Sequence, residues 1–238
     1  SGLGQRWRDA TPLGNGLTGV LQYGGVAADS WILNRYDLWH NGQQGEIPDV
    51  SGKLAEMRQL AADGRYEDAC GVLCDAMAQA GYDTTAATMR SVAEIQLRFD
   101  CPGLYSGYRR ALQMDTGEAE LTYTLDGKPY RRRTFVSRRR DVVVCRMESP
   151  QPAALSLEPG FYVSHEGEKE QQTRRQDEAT LVREQREDVC CYSVQGQDGT
   201  WFGVCCRAVT DGSAAVSPEG IAVTGATDTL LLARVFSG

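Results

Sequence analysis

Residues 7–42 read WRDATPLGNGLTGVLQYGGVAADSWILNRYDLWHNG, and the fold is decided there. The segment opens on a Pro-Leu-Gly-Asn-Gly turn at 12–16, then gives two strand-like runs, 17–23 and 30–34, joined across Gly24-Gly25. Glycines at 14, 16, 19, 24 and 25 mark a backbone that turns sharply or admits another segment at close range. The segment closes on Leu38-Trp39-His40-Asn41-Gly42, read as an aromatic-polar loop. Trp39, His40 and Asn41 set an apolar plate beside donors and acceptors, a mixture that suits a sugar ring and equally suits a buried loop. They are the candidate binding residues, and a role for them has to be argued from a site.

Outward from this stretch, 43–50 reads as loop and Ser51 as the N-cap of a helix through about residue 62, with Leu54, Met57, Leu60 and Ala61 on one stripe. After Asp63-Gly64 a second helix, about 66–80, carries Ala69, Cys70, Leu73, Met77 and Ala80 at helical spacing and ends at Gly81. Both stripes read as packing surface. From Val92 the pattern is all β. Ile95, Leu97 and Phe99 alternate with polar neighbours, as do Leu121, Tyr123 and Leu125. Asp126-Gly127 is a two-residue hairpin signal, with a return strand at 130–137. Residues 142–145 form a continuous apolar run, as in a strand covered on both faces. Leu155 and Leu157 mark another strand. Residues 165–188 are polar and read as a long exposed excursion in which Leu181-Val182 form at most a short strand. Three strands close the chain, at 189–194, 201–209 and 229–236, the first two joined by a hairpin at 197–199. Many short strands with polar turns predict one domain over 1–238: mainly β, a large antiparallel β-sandwich (a supersandwich) with an inserted two-helix segment at about 51–81.

Composition narrows the partners. A net charge of −7 and a pI near 5.0 argue against nucleic acid, which needs a basic footprint. The arginine triplets at 131–133 and 138–140 do not change this, because alternate residues of a strand face opposite sides. No apolar run reaches membrane-spanning length, and the opening residues do not resemble a signal peptide. Eight cysteines include the adjacent pairs Cys190-Cys191 and Cys205-Cys206, but no C-x-x-C spacing, and only His40 and His165 could join them at zinc. The expectation is therefore buried free thiols in a reducing cytoplasm, with no metal and no cofactor.

Several motifs carry a family resemblance. PLGNG, the glycine-rich strand after it and N-x-x-x-L-W-x-x-G resemble the opening of glycoside hydrolase family 95, the inverting α-L-fucosidases and related α-L-galactosidases. Leu54, Arg58, Leu60, Gly64, Tyr66 and Ala69 match a helical insert of that family. Tyr108, Arg110, Leu112, Thr116, Gly117 and Tyr123 match the first half of its longest signature; Asp126, Gly127, Tyr130, Arg132, Phe135 and Ser137 match the second. The resemblance implies an amino-terminal β-sandwich that supports a helical-barrel catalytic domain of the same polypeptide, with the carbohydrate substrate bound by the intact parent. In the family the acid and the water-positioning groups come from the barrel, so no residue here inherits a catalytic role. Trp39, His40 and Asn41 are the residues that would reach the rim of the active site. The family more often has a second glycine and a proline after the tryptophan, where this chain has His40-Asn41-Gly42-Gln43.

An inverting glycosidase needs two carboxyl groups about 6.5–9.5 Å apart. Of 32 carboxylates, only Asp9, Asp37 and Glu46 lie near the aromatic-polar loop, and solvation or turn-capping accounts for each. No nucleophile elbow, Walker loop or H-E-x-x-H motif is present. Two alternatives stand beside the supporting-domain reading. One is a stand-alone carbohydrate-binding module using Trp31, Trp39, Trp201, Tyr105 and Tyr108. The other is the sandwich of an α-glucoside phosphorylase. A sandwich detached from its barrel is expected to expose an apolar face and to self-associate.

Overall fold

The computed structural model describes residues 7–40, 46–82, 88–100, 103–160, 178–196 and 199–238, the side chains of 7, 39–40, 88–90, 151–160 and 178–179 excepted. It divides into two compact units, residues 1–38 with 90–238, and residues 39–89. The larger unit is an antiparallel β-sandwich. Its strands are β1 (Thr11–Gly14), β2 (Thr18–Gln22), β3 (Ala28–His40), β4 (Thr88–Phe99), β5 (Tyr105–Gln113), β6 (Glu118–Leu125) and β7 (Lys128–Ser137). There follow β8 (Val142–Gly160), β9 (Glu178–Arg186), β10 (Val189–Gly196), β11 (Trp201–Thr210), β12 (Ser213–Ser217) and β13 (Gly220–Ser237).

Two long strands make the layers. The first part of β8, Val143 to Glu148, pairs with β7 on one side and with Asp228 to Ala233 of β13 on the other. The last part of β8 pairs instead with β4 and with Ile221 to Val223 of β13. Between the two halves the β8–β13 register shifts twice, around Ala226, where irregular pairing lets both strands bend. Hydrogen bonding is thus continuous while the sheet folds into two layers. One runs β1-β2-β3-β4-β8-β13-β12, the other β5-β6-β7-β8-β13-β11-β10-β9. Leu13, Val20, Trp31, Leu33, Ile95 and Leu97 of the first layer share one buried core with Val143, Cys145, Tyr192, Phe202 and Leu231 of the second.

Alternation sets which face is buried. On β6, Leu121, Tyr123 and Leu125 are buried while Glu120, Thr122 and Thr124 look outward. On β7 the arginine triplet divides, with Arg132 inside and Arg131 and Arg133 outside. Asp126 and Gly127 turn the β6–β7 hairpin with φ of 49° and 75°.

Several expectations are corrected. Residues 11–14 form strand β1 instead of lying within a turn, because Leu13 and Val20 pair across a tight connection and both enter the core. Strand β3 runs through Trp39 and His40, so 38–40 are strand where a loop is expected. Strand β9 falls inside the expected excursion: its residues 180–186 pair with β10 as an edge, which tolerates a polar sequence. The run at 142–145 is covered on one face only; Val143 and Cys145 are buried, Val142 and Val144 half-buried.

The smaller unit holds α1 (Leu54–Ala62) and α2 (Tyr66–Gln79). Ser51 does not cap α1. Residues 51–53 form a 3-10 turn, and the Ser51 N–H donates to Asp49 Oδ1 at 2.9 Å. The Tyr82 N–H returns to the Met77 carbonyl at 2.9 Å, closing α2 around Gly81. The apolar stripes are core only in part. Ala69 is buried, Met57, Leu60, Leu73 and Met77 are half-buried, and Leu54 is 44% exposed.

Candidate functional site

Asn15, the polar residue of PLGNG, is the hub of one end of the sandwich. Its Oδ1 accepts the backbone N–H of Leu17 at 2.9 Å and of Thr18 at 2.7 Å, which closes the β1–β2 turn as an Asx motif. Its Nδ2 donates to the Ser137 carbonyl at 3.1 Å and to Asp141 Oδ1 at 2.9 Å, tying that turn to the β7–β8 turn. Asp141 also accepts from Thr18 Oγ1 at 2.8 Å and pairs with Arg35 at 3.2 Å. Arg35 reaches Asp37 at 3.0 Å and donates to Ser237 Oγ at 2.9 Å. Burial pushes the Asp141 carboxyl upward, but hydrogen bonds from Asn15, Thr18 and Arg35, with the Arg35 charge, outweigh it and hold the group below its ordinary value.

A second node lies under the Gly24-Gly25 turn. Asp29 accepts the Gly24 N–H at 2.7 Å, the Ser30 N–H at 2.9 Å and Trp31 Nε1 at 3.1 Å, and pairs with Arg132 at 3.2 Å. Arg132 also donates to the Gly25 carbonyl and lies over the Phe99 ring at 4.4 Å. A Cβ on Gly25 would overlap the Ala28 carbonyl, so only glycine fits. Tyr108 Oη donates to the Gly24 carbonyl at 2.8 Å, and Arg110 to the carbonyls of Tyr23 at 2.6 Å and Asp9 at 2.7 Å. Desolvation raises the Tyr108 phenol. Tyr108, Arg110 and Arg132 thus clamp one turn.

The expected site residues fare differently. Trp39 and His40 are the last residues of β3; their side chains, and the whole of Asn41, lie outside the described residues. Asp37 is engaged by Arg35 and Ser237. Asp9 and Glu46 are exposed. Asp37 and Asp141 share Arg35, an arrangement that ties strand β3 to the β7–β8 turn. Of the aromatics proposed for a binding module, Trp31 is 1% exposed and bonded to Asp29, whereas Tyr105 and Trp201 are 41% and 37% exposed. Among the described residues no three His, Cys, Asp or Glu side chains are grouped to hold a metal ion.

Cysteine pairing overturns another expectation. Cys191 and Cys205 sit directly opposite each other on β10 and β11, Cα atoms 4.2 Å apart, and form a disulfide. Cys190 and Cys206, one step along the register, are buried free thiols on the other face. Adjacent cysteines on two strands bring such pairs together only in one register, which the sequence does not display. Arg35, Asp141 and Ser237 were likewise missed; the one signal was Asn15 within a glycine turn.

Comparison with known proteins places this architecture. Residues 2–237 match the model of the glycosyl hydrolase family 65 N-terminal domain, where the motifs had resembled family 95. "Alpha-L-fucosidase 2" of Arabidopsis thaliana is 26% identical over 165 residues, 67% of this chain and 19% of that protein. A solved structure named "Putative kojibiose phosphorylase from human microbiome" superposes with a TM-score of 0.50 at 9% identity, covering 99% of this chain and 32% of that one. The chain therefore spans 19% and 32% of the lengths of these two relatives. On the match across 2–237, the chain belongs to the glycosyl hydrolase family 65 N-terminal domain family.

Proposed function

We propose that the chain is the non-catalytic N-terminal sandwich of a fucosidase-like glycoside hydrolase, whose intact parent releases terminal α-linked L-fucose or L-galactose. The observation that carries this reading is the 26% identity with alpha-L-fucosidase 2 over 165 residues. Two features support a non-catalytic part. The family-matched polar residues are engaged in holding turns, and the carboxylates near the expected loop are ion-paired or exposed. The partner is then a catalytic barrel of the same polypeptide. In this proposal β3 leads Trp39, His40 and Asn41 towards that barrel's rim. The test is sugar release from an α-L-fucoside by the intact parent and by the 238-residue chain. Release by the parent alone is expected; release by the isolated chain would refute the supporting role.

A second reading is favoured by the family 65 model and by the fold likeness to the phosphorylase: a parent that cleaves α-glucosides with phosphate. The phosphate requirement of the parent separates the two.

A further inference from the structure

We propose that the outer face of the second layer carries a subsite for a neutral oligosaccharide, formed where β5, β6, β7 and β8 meet. The cleft there is shallow and open to solvent, with a volume of about 510 Å³, within the range of about 300–1,000 Å³ for small-molecule sites. Its floor is Thr122 and Thr124, turned outward because Leu121, Tyr123 and Leu125 occupy the inward positions. Neither hydroxyl makes a hydrogen bond among the described residues, so both are open to a ligand. The β5 bulge places Gly107 over this floor. A Cβ there would lie 3.6 Å from Thr124 Oγ1, so the missing side chain leaves the floor uncovered.

The walls decide the ligand class. Arg131 and Glu148, cross-strand neighbours on β7 and β8, stand together beside this floor, Arg131 held by Glu120 and Glu148 within 3.5 Å of Arg133 and 3.9 Å of Arg146. Both keep exposed surface, 46% and 37% of the side chain. Their charges are balanced by neighbours, so the cleft does not select an anion such as phosphate. Pro129 and Pro150 add rigid apolar edges. Paired hydroxyls, a guanidinium, a carboxylate and apolar edges match the alternating O–H and C–H surfaces of a sugar. The choice of sugars over other neutral polyols rests on the glycoside-hydrolase reading; the cleft itself does not.

The test is titration of the ¹⁵N-labelled chain with maltotriose and with an α-fucosylated trisaccharide, followed by calorimetry on Thr124→Val and Glu148→Gln. The amides of Gly107, Thr122, Thr124 and Ser149 are expected to shift, and each variant to weaken binding by about tenfold, roughly the loss of one hydrogen bond to a charged or buried group. The remaining amide spectrum reports that each variant is folded. No shift at these four amides with either sugar at millimolar concentration would overturn the proposal, as would native affinity in both variants. Hydrolysis of a small aryl α-L-fucoside by the unsubstituted intact parent tests the fucosidase reading separately. A parent without that activity, whose cleft still binds, would remove the fucosidase reading and keep the subsite.

Discussion

Asp29 and Arg132, 103 residues apart in sequence, meet at 3.2 Å with side chains 0% and 3% exposed. One lies at the start of β3, the other at the centre of β7, so the pair fastens the Gly24-Gly25 turn to the opposite layer. The arrangement is tolerable because Asp29 also accepts from backbone amides and Trp31 while Arg132 reaches a carbonyl.

Removing one partner strands the other charge in the core. Arg132→Met is expected to lower unfolding free energy by about 3–5 kcal/mol. The double variant with Asp29→Asn is expected to lose less than the two single changes together. Urea denaturation of the four proteins checks this; additive losses would show that the two side chains are not coupled.

Asn15→Ala removes both the turn's acceptor and its donor to Asp141, and is expected to cost about 1–3 kcal/mol. The Asp141 carboxyl is held below its ordinary 3.8, so its contribution is present above that value and is lost as pH falls through the lower, folded one. Asp141→Asn should therefore destabilise at neutral pH and flatten the acid limb of the stability profile. An acid limb identical to that of the unsubstituted protein would contradict this.

Closing a loop across a sequence separation of 14 residues, the Cys191–Cys205 bridge is expected to contribute about 2–3 kcal/mol. A non-reduced digest should yield peptides cross-linked through these two residues, and Cys205→Ser should unfold at lower urea. Burial raises the Cys145 thiol to about 11 and the Cys206 thiol further, so both should resist alkylation in the folded protein while exposed Cys70 and Cys74 react. Stable disulfides belong to oxidising compartments. Recovery of the bridge from cells lysed under thiol-blocking reagent would therefore count against a cytoplasmic location.

Phe135, Val144 and Leu232 lie side by side in register on the outer face of the second layer, Phe135 at 38% exposure and the others half-buried. Such a stripe is expected to drive association of the isolated chain. Light scattering should show mass rising with concentration, and Phe135→Asp should abolish the rise. A strictly monomeric chain at high concentration would refute it.

Local patterns were legible where one residue decides the conformation. The β6–β7 hairpin followed from Asp126-Gly127, the burial of Leu121, Tyr123 and Leu125 from alternation, and the end of α2 from Gly81. Long-range relations were not. The 19 residues of β8 read as two strands, and of the 18 in β13 only 229–236 read as strand, because the bend between layers interrupts the alternation. The polar edge β9 read as excursion because an edge needs few apolar anchors. In the candidate site, Asn15 was visible, but Arg35, Asp141 and Ser237 come from distant strand ends that only the register aligns. The open Thr122–Thr124 floor likewise depends on a bulge at Gly107 that no periodicity announces.

The central claim is that this sandwich serves a hydrolase of the fucosidase kind. Its most direct test is incubation of the intact parent with an α-L-fucosylated oligosaccharide and with an α-linked glucose disaccharide, each with and without inorganic phosphate. The account predicts free L-fucose at equal rates in both conditions and no sugar phosphate. Formation of glucose 1-phosphate only when phosphate is present, with no fucose released, would contradict it.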